Sequence, residues 1–525
     1  MQYKFKIIDG EHFYGGAVND GIYMPYREGF SRDLRIWHAG NQATSALISD
    51  FGRIIVSGDP FSYTFTADEI ILEGNEINCI SCGDSLKSAY LGVRKMLGAE
   101  NRDSGIPAKE MFEKPQYNTW IEMEWDCSEE KVLSYAREIL ANGYPAGVLM
   151  IDDCWCRSYG DWEFDAARFP TPANMVRTLH EMGFRVMLWC CPFISPDTAV
   201  FRALEQKGAL VRTKKGETAI SHWWNGYSAV LDLSNPLAVD WFQRQTQRLM
   251  HDYGIDGFKL DAADPEYYGD DFVFFDQSEK SFQAKLWAQI GKDYSFNELR
   301  VGLNAGWLPV ANRLRDKNHS WADDGLNTLV PDGIAMGLCG YQYLCPDMIG
   351  GGMVPDFHRE GFTFDTELFV RYCQVAALFP MMQFSRAPWK VLSKDEQKIC
   401  LAAVKLHESL SSYIVKTAEQ CAVSGEPMLR SLEYCYPHKG YAEVCDEFLL
   451  GDELLVAPQL TKGGTERVVV FPEGEWEDLQ GRFYRGGVAT ILTPLDFIPV
   501  FSKKPKEAIW HARENTRARN GQRGL

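Results

Sequence analysis

The segment that decides the fold runs from residue 146 to residue 189, where two apolar runs flank a helical pattern. The first run is AGVLMI at residues 146–151, and the second is FRVMLW at residues 184–189. Between them, ANMVRTLHEM at residues 173–182 repeats apolar side chains at helical spacing. Strands that are apolar along their whole length and alternate with helices are typical of a parallel sheet covered on both faces. This stretch therefore predicts a βαβ unit.

The same alternation extends in both directions from this unit, between residues 106 and 416. Eight βα units in succession are typical of a (β/α)₈ TIM-type barrel of the α/β class, and we predict that fold. The eight predicted strands lie around Trp120, Met150, Leu188, Phe258, Val301, Trp321, Tyr343 and Met382.

The two flanks of the chain have a different texture, with short alternating segments broken by Gly, Asn and Asp. Examples are RIIV at residues 53–56 near the start and RVVVF at residues 467–471 near the end. Such segments predict all-β domains. We expect an N-terminal β-sandwich over residues 1–105 and a C-terminal β-sandwich over residues 417–525, ending in a polar tail from His511.

Composition restricts the class of partner. The chain has 525 residues, 45% of them apolar, and a formal net charge of −18. A surface that binds nucleic acid or an anionic membrane needs clustered Lys and Arg, so neither partner is predicted. A neutral small-molecule substrate fits better, and the 15 Trp offer ring faces for sugars, although most Trp fill cores.

The start of the chain and its cysteines predict a cytoplasmic protein without a metal or cofactor. The opening sequence MQYKFKIIDGEHFYGG lacks the apolar stretch of a signal peptide. The 14 Cys are scattered through apolar segments, which favours reduced thiols over disulfides. The CxxC pair of Cys79 and Cys82 lacks a second pair at zinc spacing. The oligomeric state stays open, and a homo-oligomer is compatible with the sequence.

The first candidate catalytic residue is Asp261, which ends the segment GIDGFKLD at residues 254–261. Reactive groups of a barrel lie at the C-terminal ends of its strands. Strand alternation puts Lys259 on the same face as Asp261, and Phe258 and Leu260 on the face toward the helices. A neighbouring cation keeps a carboxylate ionised and ready to attack carbon. The alternative is a helix-capping Asp with Lys259 as its ion-pair partner.

A second acidic site follows the predicted sixth strand, in SWADDG at residues 320–325. Glycoside cleavage with retention needs one carboxylate that attacks and another that protonates the leaving oxygen and then deprotonates water. Asp324 is the candidate for the second role. The alternative is that Asp323 and Asp324 are turn and cap residues, because acids before a Gly often are.

Three further segments predict the walls of a sugar pocket. Asp152 and Asp153, in LMIDDCW, end the second strand, and carboxylates accept hydrogen bonds from vicinal hydroxyls. HWWNG at residues 222–226 supplies Trp224, and CPDMIGGG at residues 345–352 supplies Asp347. The alternatives are helix caps for the first pair, core packing for the tryptophans and a structural role for Asp347.

Taken with these segments, several others give the chain a resemblance to glycoside hydrolase family 31 over nearly all of its length. They are LISDFGR at residues 47–53, DAARFP at 165–170, LSNP at 233–236 and FLLGDELLVAP at 448–458. The WWNG, KxDA, LCPDMIGGG and QFSxxPW elements are most similar to the myogenesis-regulating glycosidase group of that family, which looks like a group of α-galactosidases.

The resemblance implies retention of configuration, with Asp261 matching the family's nucleophile and Asp324 its acid/base. Arg313 falls on an Arg of the same group. The residues predicted to bind the substrate are Asp152, Asp153, Trp224, Lys259, Arg313, Trp321, Asp347 and Ser385.

Departures from the family pattern bear on the sugar. Lys259 stands where typical α-glucosidases of the family carry Trp, and PMMQFS at residues 380–385 lacks their His. Asp264 stands where the family usually has Glu. IDDCW and the Lys-x-Asp strand look instead like α-galactosidases of families 27 and 36, whose paired acids and Lys hold the axial hydroxyl.

We therefore predict a retaining, exo-acting α-glycosidase that hydrolyses an oligosaccharide or other α-glycoside, with α-galactosidase favoured over α-glucosidase. One alternative is a transglycosylase, since a sugar hydroxyl can intercept the same glycosyl-enzyme ester. Another is a non-catalytic sugar-binding protein on the same fold, which would be expected to lack one of the two acids.

Overall fold

A computed structural model describes residues 1–101, 105–322 and 324–504 of the chain, so the predicted polar tail from His511 lies outside the described residues. The predicted barrel between two β domains is confirmed. Parallel pairing joins the eight barrel strands in sequence order, and the eighth pairs with the first. A parallel bridge from Met348 to Gln383 brings the seventh strand's end beside the eighth, so the barrel nearly closes. The barrel strands are Gln116–Asn118, Val148–Ile151, Arg185–Cys190, Gly257–Leu260, Phe296–Leu299, Ala311–Arg313, Tyr343–Cys345 and Gln383–Phe384.

The prediction of the sixth strand around Trp321 is wrong. The strand is Ala311–Arg313, and Trp321 lies in a loop of bends between that strand and the helix Leu329–Leu338. The error has a physical reason: two of the three strand residues are polar, and their partners lie inside the protein. Asn312, for example, donates to the carbonyl of Val310 at 2.9 Å. No apolar run therefore marks this strand in the sequence.

The helices around the barrel begin and end at recognisable signals. The helix Pro236–Tyr253, before the fourth strand, starts where the Asn235 side chain accepts the amide of Leu237, and it ends at Gly254 with φ +79°. The barrel-domain helices are Glu110–Glu113, Trp120–Met123, Glu129–Ala141, Pro172–Glu181, Ala199–Lys207, Pro236–Tyr253, Phe282–Gly291, Leu329–Leu338, Val354–Phe357, Thr366–Ala376, Pro388–Val391 and Lys394–Ser424.

Short strands and 3₁₀ turns interrupt the loops between the barrel elements. A hairpin within a three-stranded sheet carries the WWNG segment. The additional strands are Phe193–Ile194, Arg212–Thr213, Ile220–Trp223, Gly226–Val230, Phe272–Val273 and Gly302–Leu303, and the 3₁₀ turns are Pro265–Tyr267 and Leu326–Thr328.

The N-terminal domain consists of two largely antiparallel sheets followed by the helix Leu86–Met96. One barrel-domain segment joins it: Gly302–Leu303, just after the fifth barrel strand, pairs in parallel with Gln42 and Ala43. The N-terminal strand Gln42–Ser49 is thereby fixed beside the C-terminal ends of the barrel strands. The other N-terminal strands are Gln2–Lys6, Phe13–Ala17, Ser31–Asp33, Arg53–Val56, Ser62–Phe65, Glu69–Glu73 and Asn78–Ser81.

The C-terminal strands form one six-stranded sheet in which every pairing is antiparallel. The helix Lys394–Ser424 spans the predicted boundary at residue 416 and ends at Gly425, whose φ is +78°. Among the described helices, none combines the length and the apolar character that a membrane span requires. The C-terminal elements are the strands Leu429–Arg430, Phe448–Leu450, Leu454–Val456, Glu466–Asp478, Phe483–Leu492 and Val500–Lys504 and the helix Leu432–Cys435.

Candidate active site

The carboxylate of Asp261 follows the fourth barrel strand, Gly257–Leu260, whose residues are all buried. The predicted alternation holds: Phe258 packs against Tyr294 with ring centroids 4.9 Å apart, on the helix side. Gly257 is required at the start of the strand, because a Cβ there would lie 1.8 Å from the carbonyl oxygen of Phe296. The strand therefore directs Asp261 to the open end of the barrel.

Three hydrogen-bond donors and neighbouring cations fix the Asp261 carboxylate. Its Oδ2 accepts from Trp189 Nε1 at 3.0 Å, and its Oδ1 accepts from Arg300 Nε at 2.7 Å and from the Ala262 amide at 2.8 Å. Ala262 has φ +63°, a sparsely populated conformation for a residue with a side chain, so the backbone turns sharply directly after Asp261.

The charge balance keeps Asp261 ionised. Burial alone would raise the pKa of this carboxyl, but Arg300, Lys259 and Arg313 outweigh burial and hold the pKa well below its usual range. Arg300 also binds Asp264 through two hydrogen bonds of 2.8 and 2.6 Å. One arginine therefore binds both Asp261 and Asp264, and the ionised form of Asp261 is favoured.

Beside Asp261 lies the predicted pair of Asp152 and Lys259, which the structure brings together from the second and fourth strands. Lys259 Nζ donates to Asp152 Oδ2 at 2.7 Å, and both residues are 3% exposed. Burial opposes the charge of Lys259, but Asp152, Asp261 and Glu298 together outweigh burial, and the pKa of Lys259 is raised. An opposite-charge pair thus lies next to the candidate nucleophile.

These groups line a cavity of roughly 670 Å³ at the C-terminal ends of the strands. Part of its wall is aromatic: Trp120 contacts Trp125 and Trp224 in edge-to-face geometry, with centroids 5.6 and 6.0 Å apart. In the described residues, no three His, Cys, Asp or Glu side chains are grouped so that they could hold a metal ion. The cavity is lined by Trp37, Gly40, Trp120, Trp125, Asp152, Trp189, Trp224, Lys259, Asp261, Asp264, Glu266, Tyr267, Arg300, Arg315, Asp316, Met353, Val354 and Pro355.

Asp316, which the sequence analysis missed, is an acid in this lining. It follows the sixth barrel strand by three residues, its side chain is 31% exposed, and its Oδ1 accepts from Arg313 Nη1 at 2.8 Å. Arg313 is itself 1% exposed and also pairs with Glu298 at 3.2 Å and with Asp347. Arg313 therefore binds Asp316 from the protein interior. It was predicted to hold a sugar, but it is not among the residues that line the cavity.

The structure places Asp324, the predicted acid/base, among cationic side chains. It is not among the residues that line the cavity. Its Oδ1 accepts from the buried Lys317 Nζ at 2.5 Å, and its Oδ2 lies 3.4 Å from Arg315 Nε. Lys317 also binds Asp332 at 2.6 Å. These contacts hold Asp324, whose side chain is 27% exposed, in an ion-pair cluster that includes the cavity residue Arg315. Asp323 lies outside the described residues.

Four other predicted substrate-binding residues make internal contacts and do not line the cavity. Asp153 accepts from Tyr159 Oη at 2.8 Å, and burial raises its pKa to about 6. Asp347 pairs with Arg313, and burial raises its pKa to about 7. Ser385 Oγ accepts the amide of Ile121 at 2.6 Å, and Trp321 Nε1 donates to Asp365 at 2.9 Å. Of the predicted set, Asp152, Trp224, Lys259 and Asp261 line the cavity.

Comparison with known families covers both the barrel and the C-terminal domain. A profile described as "Glycosyl hydrolases family 31 TIM-barrel domain" matches residues 110–294. A second, "Glycosyl hydrolase family 31 C-terminal domain", matches residues 425–506. The two matches together span more than half of the chain.

Curated proteins of similar sequence include the myogenesis-regulating glycosidase of Mus musculus. It is 34% identical over 395 residues, which cover 73% of this chain and 55% of that protein. The 1,3-alpha-isomaltosidase of Kribbella flavida is 27% identical over 64% of this chain and 50% of its own length. The chain thus spans about half the length of these relatives.

Solved structures have the same fold at lower identity. A glycoside hydrolase family 31 dextranase of Flavobacterium johnsoniae in complex with glucose superposes with a TM-score of 0.84 at 20% identity, over 96% of this chain and 66% of that one. An alpha-xylosidase from a soil metagenome in complex with xylose gives 0.83 at 21% identity, over 97% and 80%. With the two domain matches, these similarities show that the chain belongs to glycosyl hydrolase family 31.

Proposed function

We propose that this chain is a retaining, exo-acting α-glycosidase in which Asp261 is the nucleophile and Asp316 the general acid/base. The observation that carries the proposal is that these two carboxylates line one cavity at the C-terminal ends of the strands. We assign the acid/base role to Asp316 in place of Asp324, because Asp324 is not in the cavity lining. Its Oδ1 binds the buried Lys317, and its Oδ2 lies 3.4 Å from Arg315 Nε.

The reaction takes two displacements. In the first, an Asp261 oxygen bonds to the anomeric carbon, the bond to the leaving oxygen breaks, and Asp316 gives that oxygen its proton. In the second, Asp316 takes a proton from water, the water oxygen bonds to the same carbon, and the ester to Asp261 breaks. Arg313, 2.8 Å from Asp316, stabilises the carboxylate that remains after proton donation.

The charges of the cavity support a neutral sugar. Five of the described lining residues are acids, and the three cations are already matched: Lys259 by Asp152, Arg300 by Asp261 and Asp264, and Arg315 by Asp324. An anionic sugar would need an unmatched cation. This argues against the substrate class of the sulfoquinovosidases, one of which, from Escherichia coli, is 23% identical over 66% of this chain.

We further propose galactose as the terminal sugar. Galactose and glucose differ only at C4, where the galactose hydroxyl is axial, so selectivity needs polar groups that meet that one direction. Asp152 and Lys259 carry opposite charges 2.7 Å apart and both line the cavity, so together they offer an acceptor and a donor. Asp153 accepts a hydrogen bond from Tyr159 instead, so we do not propose that it holds the galactose hydroxyl.

The substrate proposal predicts that kcat/KM for an aryl α-galactoside exceeds that for the matching α-glucoside by about tenfold or more. The reason is that a buried polar group left without its partner costs about 1–3 kcal/mol. Lys259→Met should remove most of this preference. The measurement is a panel of aryl α-galactoside, α-glucoside, α-xyloside and α-sulfoquinovoside with both proteins.

Lys259→Arg is the matched control, because it keeps the charge beside Asp152 and should keep more of the preference than the Met variant. Thermal unfolding of all three proteins separates a loss of specificity from a loss of folding. Equal or faster cleavage of the α-glucoside by the wild type would refute the galactose proposal and leave the retaining mechanism open to its own tests.

A further inference from the structure

A buried segment of the N-terminal domain reaches the active site and binds its backbone. Asn41 is fully buried, and its Nδ2 donates to the carbonyls of Arg300 and Arg313, each at 3.1 Å. Its Oδ1 accepts the amide of Arg315 at 2.8 Å. One side chain from outside the barrel therefore connects the ends of the fifth and sixth barrel strands.

Each of the three residues that Asn41 binds has a link to the reacting carboxylates. Arg300 Nε binds Asp261, Arg313 Nη1 binds Asp316, and Arg315 lines the cavity next to Asp316. The backbone of all three residues thus depends on a common neighbour. A shift of either strand end would change the separation of the two carboxylates.

The residues around Asn41 reinforce this connection. Gly40, with φ +72°, turns its carbonyl to Arg300 Nη1 at 2.7 Å, and Ala39 presents its carbonyl to Arg315 Nη1 at 3.4 Å. Gln42 Nε2 donates to the carbonyl of Leu299 at 3.1 Å. The parallel pairing of Gln42 and Ala43 with Gly302 and Leu303 holds the segment in register.

We propose that Asn41 is a positioning residue that sets the distance and orientation between Asp261 and Asp316. This inference rests on the proposed function for the identity of the two reacting acids. Asn41 touches neither the sugar nor the acids; it acts through the strand ends that carry Arg300 and Arg313. The N-terminal domain is thereby part of the catalytic machinery of the barrel.

The test compares Asn41→Asp and Asn41→Ala with Thr44→Val. Asp keeps the acceptor for the Arg315 amide but loses both N–H donors, and Ala loses the bonds to all three arginine backbones. Thr44, on the strand Gln42–Ser49 that follows Asn41, donates to the carbonyl of Cys339 at 2.7 Å, so its Val variant removes one buried bond between domains away from the cavity. Each protein is measured for kcat and KM, for its pH profile, and for hydrogen exchange of the backbone.

Both Asn41 variants should lower kcat by at least about tenfold with a smaller change in KM, since misplacement of reacting groups by about 1 Å costs on the order of 100-fold. Thr44→Val should stay within about twofold. Looser placement of Arg300 should let the pKa of Asp261 rise, so the acid limb of kcat/KM should move to higher pH. Other charged or titratable groups around Asp261 include Lys259, Arg313, Asp153 and Tyr267, and the acids Asp152, Asp264 and Glu266 line the same cavity.

Hydrogen exchange tests the role of Asn41 without relying on catalytic activity. Asn41→Ala should speed exchange at the Arg315 amide and through residues 311–317, whereas Asn41→Asp and Thr44→Val should leave the Arg315 amide protected. If the wild type cleaves no α-glycoside, the proposed function fails and exchange alone decides this inference. Unchanged kcat or unchanged exchange in Asn41→Ala would refute it. If that variant does not fold, Asn41→Ser, which has one proton to donate, replaces it in both measurements.

Discussion

Asp261→Asn is expected to lower kcat by about 10⁴-fold or more on every α-glycoside that the wild type cleaves, whatever the leaving group. The amide cannot form the ester to the anomeric carbon, so the first displacement is lost and a better leaving group cannot restore it. The measurement is single-turnover and steady-state kinetics on aryl glycosides of graded leaving-group pKa.

The Asn side chain has the shape of Asp, so the variant should fold and still bind the substrate. Thermal unfolding and a binding measurement with an unreactive sugar check both points. Activity within about tenfold of the wild type on any of these substrates would mean that another group attacks the anomeric carbon.

Asp316→Ala should have the second-largest effect and a different pattern. On substrates with a poor leaving group, kcat/KM should fall by about 10²–10⁴-fold, because general acid catalysis contributes that much. On an activated aryl glycoside the ester should still form, because the leaving group needs little protonation. Added azide should then accelerate turnover and give the α-glycosyl azide.

Asp324→Ala is the matched comparison, since Asp324 follows the same strand but binds Lys317 instead of lining the cavity. Its variant should lose stability, because Lys317 is fully buried and keeps only Asp332 as an ion-pair partner. It should show no azide rescue. Rescue in the Asp324 variant but not in the Asp316 variant would mean that Asp324 is the acid/base after all.

The sequence predicts the fold well where strands are apolar along their whole length. Val148–Ile151 and Gly257–Leu260 are buried on both faces, as a parallel sheet under helices requires, and both strands lie where the apolar pattern predicts them. Ala311–Arg313 does not follow this rule, because its polar residues are satisfied by partners distant in sequence, such as Gln42 Nε2 near Asn312. The local sequence pattern does not indicate such partners.

The site residues, like the strands, can be predicted from the sequence where they lie at the ends of apolar strands. Asp261 and Asp152 directly follow barrel strands, and Lys259 lies two residues before Asp261 on the same face, so the barrel rule identifies all three from the sequence alone. A sixth strand around Trp321 would make Asp324 the second acid, whereas the strand Ala311–Arg313 places Asp316 in that position. Arg300, which also lines the cavity, could have been predicted by the same rule, because it is a charged residue directly after Leu299, the end of the fifth strand.

Residues beyond the strand ends could not be assigned from their type alone. Arg313 and Asp347 are charged residues next to the site, yet both are buried and bind each other. Whether a charged side chain faces a sugar or a neighbour depends on which backbone lies behind it. The same holds for Asn41, whose three partners are more than 250 positions away in the chain.

The most direct test of the central claim is to trap the glycosyl-enzyme ester and find the residue that carries it. A ring-fluorinated glycosyl fluoride of the sugar that the substrate panel identifies should trap the ester. Ring fluorine destabilises the oxocarbenium-like transition states of both displacements, whereas the good leaving group, fluoride, keeps the first displacement faster than the second. We predict that the intact mass rises by one fluoroglycosyl group and that peptide fragmentation locates it on Asp261. Turnover without any adduct, or an adduct on Asp316 or Asp324, would contradict the account.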